Sequence, residues 1–508
     1  MVAKVNSLGL YGLDAFKIEV EASTEPGLPI FEIVGLPDAA VKESRNRVRS
    51  AIKNIGLSFP VRRITVNLSP ADIKKEGAIY DLPILVALLI SSGQLNCNFI
   101  DGCAFVGEVT LSGDLKPIRG LLPMALKAKE INIKNLFIPI DNANEGLIAY
   151  ETSIYPAKNI LEIIDHLSGN KKITYENKVK LQKPLEYSLD FSDVKGQFKA
   201  KRALEVAAAG NHNIVLVGPP GSGKSMLSKR LPSILPKMTH KEAIETTKIH
   251  SISGILPYSS GLLLDRPFRA PHHTISSAGL AGGGSIPRPG EISLAHNGVL
   301  FLDEFPEFSR SAMEILRQPI EDENITISRV GGTLSYPCSF LLIAAMNPCP
   351  CGYLGHPTKK CRCSKYAIER YFSKISGPIL DRLDIHVEVP PVIFKDISNE
   401  SVNGEKSSQI LERVIKARNI QKERYKNLGI TYNSKLESSI LLKYCKLSSN
   451  ANKLLEKAFS VLSLSARAYS KILKIARTIA DLSGSETIKD IHMAEAVQYR
   501  ALDRKYWL

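Results

Sequence analysis

The stretch NIVLVGPPGSGKSMLSKRL, residues 213–231, decides the fold. Asn213–Val217 is an apolar run of strand length, Gly218–Ser225 is a glycine-rich loop, and the residues after it follow a helical pattern. The loop matches G-x-x-x-x-G-K-[ST] between a strand and a helix, which is the context that makes it a phosphate cradle. Gly221 and Gly223 lack a β-carbon, so successive backbone N–H groups can curl around phosphate oxygens, and the N-terminus of the helix adds partial positive charge. The whole loop, Gly218, Pro219, Pro220, Gly221, Ser222, Gly223, Lys224 and Ser225, is therefore expected to bind ATP. Lys224 would reach the β- and γ-phosphates, and the Ser225 hydroxyl would sit on Mg²⁺.

A phosphate loop needs an acidic partner for its metal. VLFLDEF, Val299–Phe305, offers Asp303 and Glu304 at the end of a strongly apolar run. Taken alone, an Asp-Glu pair after a buried strand is commonly a surface turn. Paired with the loop, Asp303 is expected to hold Mg²⁺ and Glu304 to align the attacking water. The apolar runs Asn213–Val217, Gly298–Leu302 and Phe340–Ala345 each stop where polar residues begin, as in a parallel sheet with its site at the carboxyl ends of the strands.

At 508 residues the chain exceeds what one core can organise, and 44% hydrophobic with 23% charged residues is an ordinary globular balance. Residues 1–170 alternate strand and helix patterns: Phe31–Val34 as a strand, Asp38–Ile55 as a helix, Arg63–Leu68 as a strand. Residues 171–189 form a Lys- and Asn-rich connector, 190–395 carry the phosphate loop, and 396–508 begin with a polar lapse (Ile393–Glu405) and continue as helices. In the last of these regions Leu464, Ala468, Ile472, Ile475, Ala476, Ile479 and Leu482 keep helical spacing, with Arg467, Lys471 and Lys474 on a second face.

The N-terminal residues lack the pattern of a secretory signal, and the most apolar stretch, Leu82–Ser92, is too short to span a bilayer. Together with cysteines too crowded for a disulfide framework, this places the expected home in the cytoplasm, with no membrane partner. The net charge is +15, and the region from Glu405 onward carries 20 basic against 10 acidic residues. Such a block attracts polyanions such as DNA through its phosphates, or it is a solvated helical surface.

Several longer strings are specific: GLPDAAVKESRNRVRSAI (Gly35–Ile52), RPFRAPHHTIS (Arg266–Ser276), PRPGEISLAHNGVLFLDEF (Pro287–Phe305), MNPCPCG (Met346–Gly352) and LDRLDIHVEVP (Leu380–Pro390). On these strings the chain resembles, from end to end, the ComM/YifB family of bacterial magnesium-chelatase-like AAA+ ATPases. The resemblance implies a multidomain α/β fold: a Lon-protease-like N-terminal domain, an AAA+ core and a C-terminal helical lid, assembled as a ring expected to be a hexamer. It implies a sensor role for Asn347 toward the γ-phosphate or the lytic water. Arg382 would be the arginine finger presented to a neighbouring subunit, and Arg467 the lid arginine of a second sensor. It also implies a motor acting on DNA, in branch migration or processing of recombining DNA during natural transformation. A magnesium-chelatase motor subunit and a protein-remodelling ATPase are the alternatives.

The N-terminal region departs from an active Lon protease. At the positions matching the catalytic serine and lysine stand Ile79 and Leu122, so neither nucleophile nor base is present. Lys74, Lys75 and Arg119 could instead give a phosphate-contacting face, or a solvated one. Directly after Asn347, Cys349, Cys351, Cys361 and Cys363 form two Cys-x-Cys pairs, enough thiolates for a tetrahedral zinc or for a set of reduced structural cysteines. Lys359, Lys360 and Arg362 make that loop basic. His272 and His273 read as loop histidines and are assigned no metal.

Overall fold

The computed structural model describes residues 2–97, 99–149, 152–174, 189–258, 260–284, 287–329, 332–391, 404–462 and 465–500. Most of the expected connector, most of the polar lapse Ile393–Glu405, and Leu464 lie outside the described residues. The chain forms two compact units, residues 1–184 with 240–264, and residues 185–239 with 265–508.

The first unit is built on a mixed seven-stranded sheet. Its strands are β1 (Val2–Tyr11), β2 (Asp14–Glu25), β3 (Phe31–Val34), β4 (Arg63–Ser69), β5 (Cys103–Phe105), β6 (Asn135–Pro139) and β7 (Ser153–Ala157), in the order β3-β4-β2-β1-β5-β6-β7. Alternation along β2 sends Ile18, Val20 and Ala22 into the core. Helix α1 (Ala39–Asn54) starts at Asp38, whose carboxylate accepts the Val41 N–H at 2.7 Å. Helix α2 (Asp81–Ser91) is buried on all sides, so its one charge needs a partner. Arg47 of α1 supplies it with Nε 2.7 Å from the fully buried Asp81 carboxylate.

Helix α3 (Leu121–Glu130) receives a buried carboxylate at its N-terminus: Glu145 accepts the Leu122 N–H at 2.8 Å and a hydrogen bond from the Ser251 hydroxyl. Ser251 lies on a helix, His240–Ser253, whose sequence position is between the phosphate loop and the strands that follow it, yet which belongs to the first unit.

The second unit holds an all-parallel five-stranded sheet. Its strands are β8 (Ile214–Val217), β9 (Phe268–Arg269), β10 (Val299–Leu302), β11 (Leu341–Met346) and β12 (Ile385–Glu388), in the order β9-β10-β11-β8-β12. The first strand of this unit thus lies between the last two, which is the topological switch point where an open α/β sheet binds ligands. Register places the strand ends together: Val217 pairs with Met346 and Glu388, and Leu302 with Ala344.

The helices after residue 404 share one apolar core with this sheet, in which Ile214, Ile343 and Ile385 are continuous with Val414, Ile472 and Ile479. The periodic helix is Ala466–Leu482, started by Ser465, whose hydroxyl accepts the Ala468 N–H at 3.2 Å. Its second face meets solvent at Arg467 but turns inward at the two lysines. Lys471 is half-buried, 3.1 Å from Asp384, and also donates to the carbonyls of Asp381 and Leu383, while Lys474 donates to the Ser434 carbonyl at 2.9 Å. Burial lowers both lysines, and Asp384, pushed up by burial, is held well below the carboxylate range by Lys471 and His212. Arg424 and Arg477 meet the buried Asp481 in the same region. Part of the C-terminal basic surplus is therefore internal.

Candidate active site

The phosphate loop leaves β8 at Gly218, where a β-carbon would stand 2.2 Å from the Val389 carbonyl oxygen, so only glycine fits. Gly221 (φ +76°) and Gly223 (φ +90°) take the left-handed conformation with nothing within 4 Å of a β-carbon position, so the loop presents its backbone to open space. The loop then enters the helix Lys224–Arg230. Lys224 is buried, and its ammonium donates to the carbonyls of Gly218 (2.7 Å) and Pro219 (3.0 Å) and to Asn347 Oδ1 (3.2 Å). Burial pushes it down to about 8, with the charges of Asp303 and Glu304 pulling the other way.

The Ser225 hydroxyl donates to Asp303 Oδ2 at 2.6 Å, which brings together the two oxygens expected to share Mg²⁺. Asn347 follows Met346 at the end of β11 and completes the triangle with Lys224. An open glycine cradle, a buried lysine and a hydroxyl–carboxylate pair at one sheet edge fit a magnesium-bound nucleoside triphosphate in donor type and charge.

Glu304 sits beyond Asp303 with φ +51°, a left-handed conformation that non-glycine residues adopt sparingly and often at functional positions. Its carboxylate is 57% exposed and lies 3.0 Å from His273 Nδ1. His273, a loop histidine by its sequence context, reaches the candidate site through this contact. The signal was the APHHT string itself, but nothing local links it to a carboxylate thirty-one positions on.

The two arginines have partners other than the loop residues. Arg382 places Nη2 2.5 Å from Glu321 and donates to the Pro378 carbonyl, and Arg467, 74% exposed, lies 3.3 Å from Asp381. Both line a cleft of about 900 Å³, together with Glu321, Asp381, Asp384 and Lys471. The structure thus gathers Lys224, Ser225, Asp303 and Asn347 into one bonded group, and sets Arg382 and Arg467 in a second.

The four cysteines converge. All Sγ atoms lie within 4.8 Å of one another, with Cys349–Cys351 at 3.4 Å, Cys349–Cys361 at 3.7 Å and Cys351–Cys361 at 3.6 Å. These separations are far longer than a disulfide bond, and all four thiols are free. In the first unit, Ile79 packs against apolar side chains, and Leu122 is fully buried. The idea of a phosphate face there is corrected at Lys75, which is fully buried with its ammonium on the Pro70 carbonyl. Lys74 is exposed and pairs with Glu76 at 3.1 Å.

With this geometry in hand, relatives of known name decide the family. The Haemophilus influenzae "Competence protein ComM" is 43% identical over 509 residues, covering 99% of this chain and 98% of that protein. The chain belongs to the ComM/YifB family. Within this family of magnesium-chelatase-like AAA+ ATPases, the Escherichia coli K12 "Uncharacterized protein YifB" is likewise 43% identical, covering 98% of this chain and 97% of that protein. Residues 190–397 match the family model described as magnesium chelatase, subunit ChlI; residues 20–142 match that of subunit ChlI of Mg-chelatase; and residues 404–500 match the ChlI C-terminal model. A "Lon protease" of Mycoplasma mobile is 25% identical over 195 residues, covering 35% of this chain and 23% of that protein. The fold class expected from the sequence holds: mixed α/β with a Lon-like likeness, an AAA+ core with a parallel sheet, and a helical C-terminal region. Among the described residues no helix is long and apolar enough to cross a membrane.

Proposed function

We propose that the chain is the subunit of a cytoplasmic ring, a hexamer, that hydrolyses ATP to move DNA, with branch migration or processing of recombining DNA as its task. The observation that carries the ATPase reading is the convergence of Lys224, Ser225, Asp303 and Asn347 at the ends of three neighbouring parallel strands, with Glu304 alongside. Lys224 exchanges its carbonyl partners for the β- and γ-phosphates, a move that restores full charge to a lysine lowered by burial. Ser225 and Asp303 hold Mg²⁺, which neutralises charge on the phosphates. Glu304, steadied by His273, orients the attacking water, and Asn347 hydrogen-bonds the γ-phosphate or that water. Arg382 acts on the neighbouring subunit's ATP, and Arg467 reports nucleotide from the lid. Zn²⁺ on Cys349, Cys351, Cys361 and Cys363 completes the cofactor set. The first unit, lacking serine and lysine at Ile79 and Leu122, serves as a scaffold without peptidase activity.

The DNA reading is supported by the name of the competence relative and by the overall charge of +15. Exposed basic residues suited to phosphate contact include Lys359, Lys360, Arg362 and Arg467, whereas Lys471 and Lys474 are engaged internally. The test is the ATPase rate with and without single-stranded, duplex and four-way-junction DNA. Stimulation by DNA is expected, with duplex affinity falling by roughly 0.9 log units per log unit of salt for each phosphate neutralised. Absence of DNA binding at low salt together with unstimulated hydrolysis would overturn the DNA reading and favour protein remodelling.

A further inference from the structure

The residues between Cys349 and Cys363 contain no helix or strand, and of them only Cys349 and Gly352 are buried. Such a loop buries too little apolar surface to repay the entropy of ordering its backbone, so its shape needs another source of free energy. The sulfur positions identify one. Four thiolates at about 2.3 Å around a tetrahedral Zn²⁺ stand about 3.8 Å apart, and the pairs among Cys349, Cys351 and Cys361 span 3.4 to 3.7 Å. One backbone N–H is already aimed at a sulfur, that of Cys363 at Cys361 (3.4 Å), and the backbone amides of Tyr353, Leu354 and Arg362 lie near Cys349 and Cys351. Binding would take all four sulfurs to the thiolate, releasing whatever thiol protons they carry to solvent, and leave a complex with two negative charges, beside the exposed cations of Lys359, Lys360 and Arg362.

The cluster is connected to the ATP site by three routes. Cys349 lies two residues beyond Asn347, whose side chain meets Lys224 at 3.2 Å. Cys363 precedes Ser364, whose hydroxyl accepts the Ala367 N–H at 3.2 Å and starts the helix Lys365–Phe372. Near the end of that helix the Tyr371 hydroxyl lies beside the backbone amide of Asn347. Between Cys349 and Gly352 a turn is closed by the Gly352 N–H on the Cys349 carbonyl at 2.9 Å. Gly352, at φ +81°, lies so close to the phosphate loop that a β-carbon would stand 2.4 Å from Pro220 Cδ. Two arms leave the sulfur cluster, both end at Asn347, and the turn from Cys349 to Gly352 touches the loop.

We propose that Cys349, Cys351, Cys361 and Cys363 bind one Zn²⁺ as thiolates, and that this ion braces Asn347 from both sides, setting the rate of turnover rather than nucleotide affinity. The proposal rests on the ATPase reading and on its zinc assignment. Asn347 is the group next to the reaction, and the cysteines act through it as positioning residues.

The experiment uses the full-length protein and its Cys361→Ser/Cys363→Ser variant. Zinc is measured by release to a chromogenic chelator, and Co²⁺ replacement is followed by the absorption bands of a tetrahedral thiolate site. The wild type is expected to hold one zinc per chain and the variant none. Affinity for a fluorescent ATP analogue should stay within about threefold while kcat falls at least about tenfold. Asn347→Ala should reproduce the kcat defect, and combining the two changes should add little, because both remove the same positioned group. Should the double variant fail to fold, stripping zinc from the wild type with a chelator and restoring it replaces the comparison, with kcat expected to fall and recover. No metal under reducing conditions, zinc lost with kcat unchanged, or losses that multiply with Asn347→Ala would each overturn the proposal. A wild type that binds nucleotide without turnover would count against the ATPase reading alone, and zinc content and the cobalt bands would still decide the metal site.

Discussion

Both units are α/β sheets with buried charges, but they use those charges differently. In the first, every buried ion described above is matched by a partner within the fold: Asp81 by Arg47, Glu145 by the Leu122 N–H and the Ser251 hydroxyl, Lys75 by the Pro70 carbonyl. Ile79 packs against apolar side chains, and Leu122 is an apolar side chain fully buried. In the second, Lys224 is buried against carbonyls that a phosphate can replace, and the two glycines beside it face open space. A buried charge whose partners are all fixed is structural, whereas one held by exchangeable partners at an open strand end is available for chemistry.

The largest expected difference between the two comes from removing one charge in each. Lys224→Ala should lower ATP turnover by at least about 100-fold, since it deletes the cation on the transferred phosphate. Arg47→Met should leave turnover within about twofold yet cost the first unit about 3 kcal/mol in denaturant unfolding, because Asp81 is left buried and unpaired. If Arg47→Met abolished turnover at unchanged stability, the division of roles would be wrong.

Arg382→Ala sharpens the comparison within the second unit, because its bonds are to Glu321 and Pro378 rather than to the loop. These subunits should keep nucleotide affinity and lose hydrolysis. Mixing them with Lys224→Ala subunits should restore partial activity, and a mixture no more active than its parents, under conditions of subunit exchange, would remove the trans role.

A smaller effect is expected at His273, which touches Glu304 and not the loop. His273→Ala should lower kcat roughly tenfold with KM unchanged, within the usual coupling of contacting residues. A rise in KM alone would mean that His273 contacts substrate instead of steadying Glu304.

The smallest effect is in pH. The Lys224 ammonium is lowered to about 8 by burial, and its charged form is the one that attracts phosphate. ATP affinity should therefore weaken as pH climbs through 8, by up to about tenfold per pH unit, and calorimetry in buffers of different ionisation enthalpy should show proton uptake on binding. Affinity flat from pH 7 to about 10 would contradict the buried state of Lys224.

What could be read from the sequence was what is local. The phosphate loop, its strand and the acidic pair after β10 are contiguous strings, and the strand runs were placed to within a residue or so of β3, β4, β8, β10 and β11. What could not be read depends on partners distant in the chain. Helical spacing marks Lys471 and Lys474 as a non-apolar face, but only the fold sets Asp384 and the carbonyls of Leu383 and Ser434 across from them. The helix His240–Ser253 has no feature that says which core it joins, and among its contacts there is the Ser251 hydroxyl on the buried Glu145. Lys75 reads as a surface lysine until the Pro70 carbonyl is found to meet it.

The account stands most directly on Glu304, the group placed beside the reaction and held by His273 but bonded to none of the loop residues described. Glu304→Gln keeps the shape of the side chain and removes its charge, so nucleotide binding and turnover should separate. The account predicts ATP affinity close to wild type, retained Mg²⁺ dependence of binding, and a kcat at least about 100-fold lower in single-turnover assays. Turnover at the wild-type rate in the same assay would contradict it.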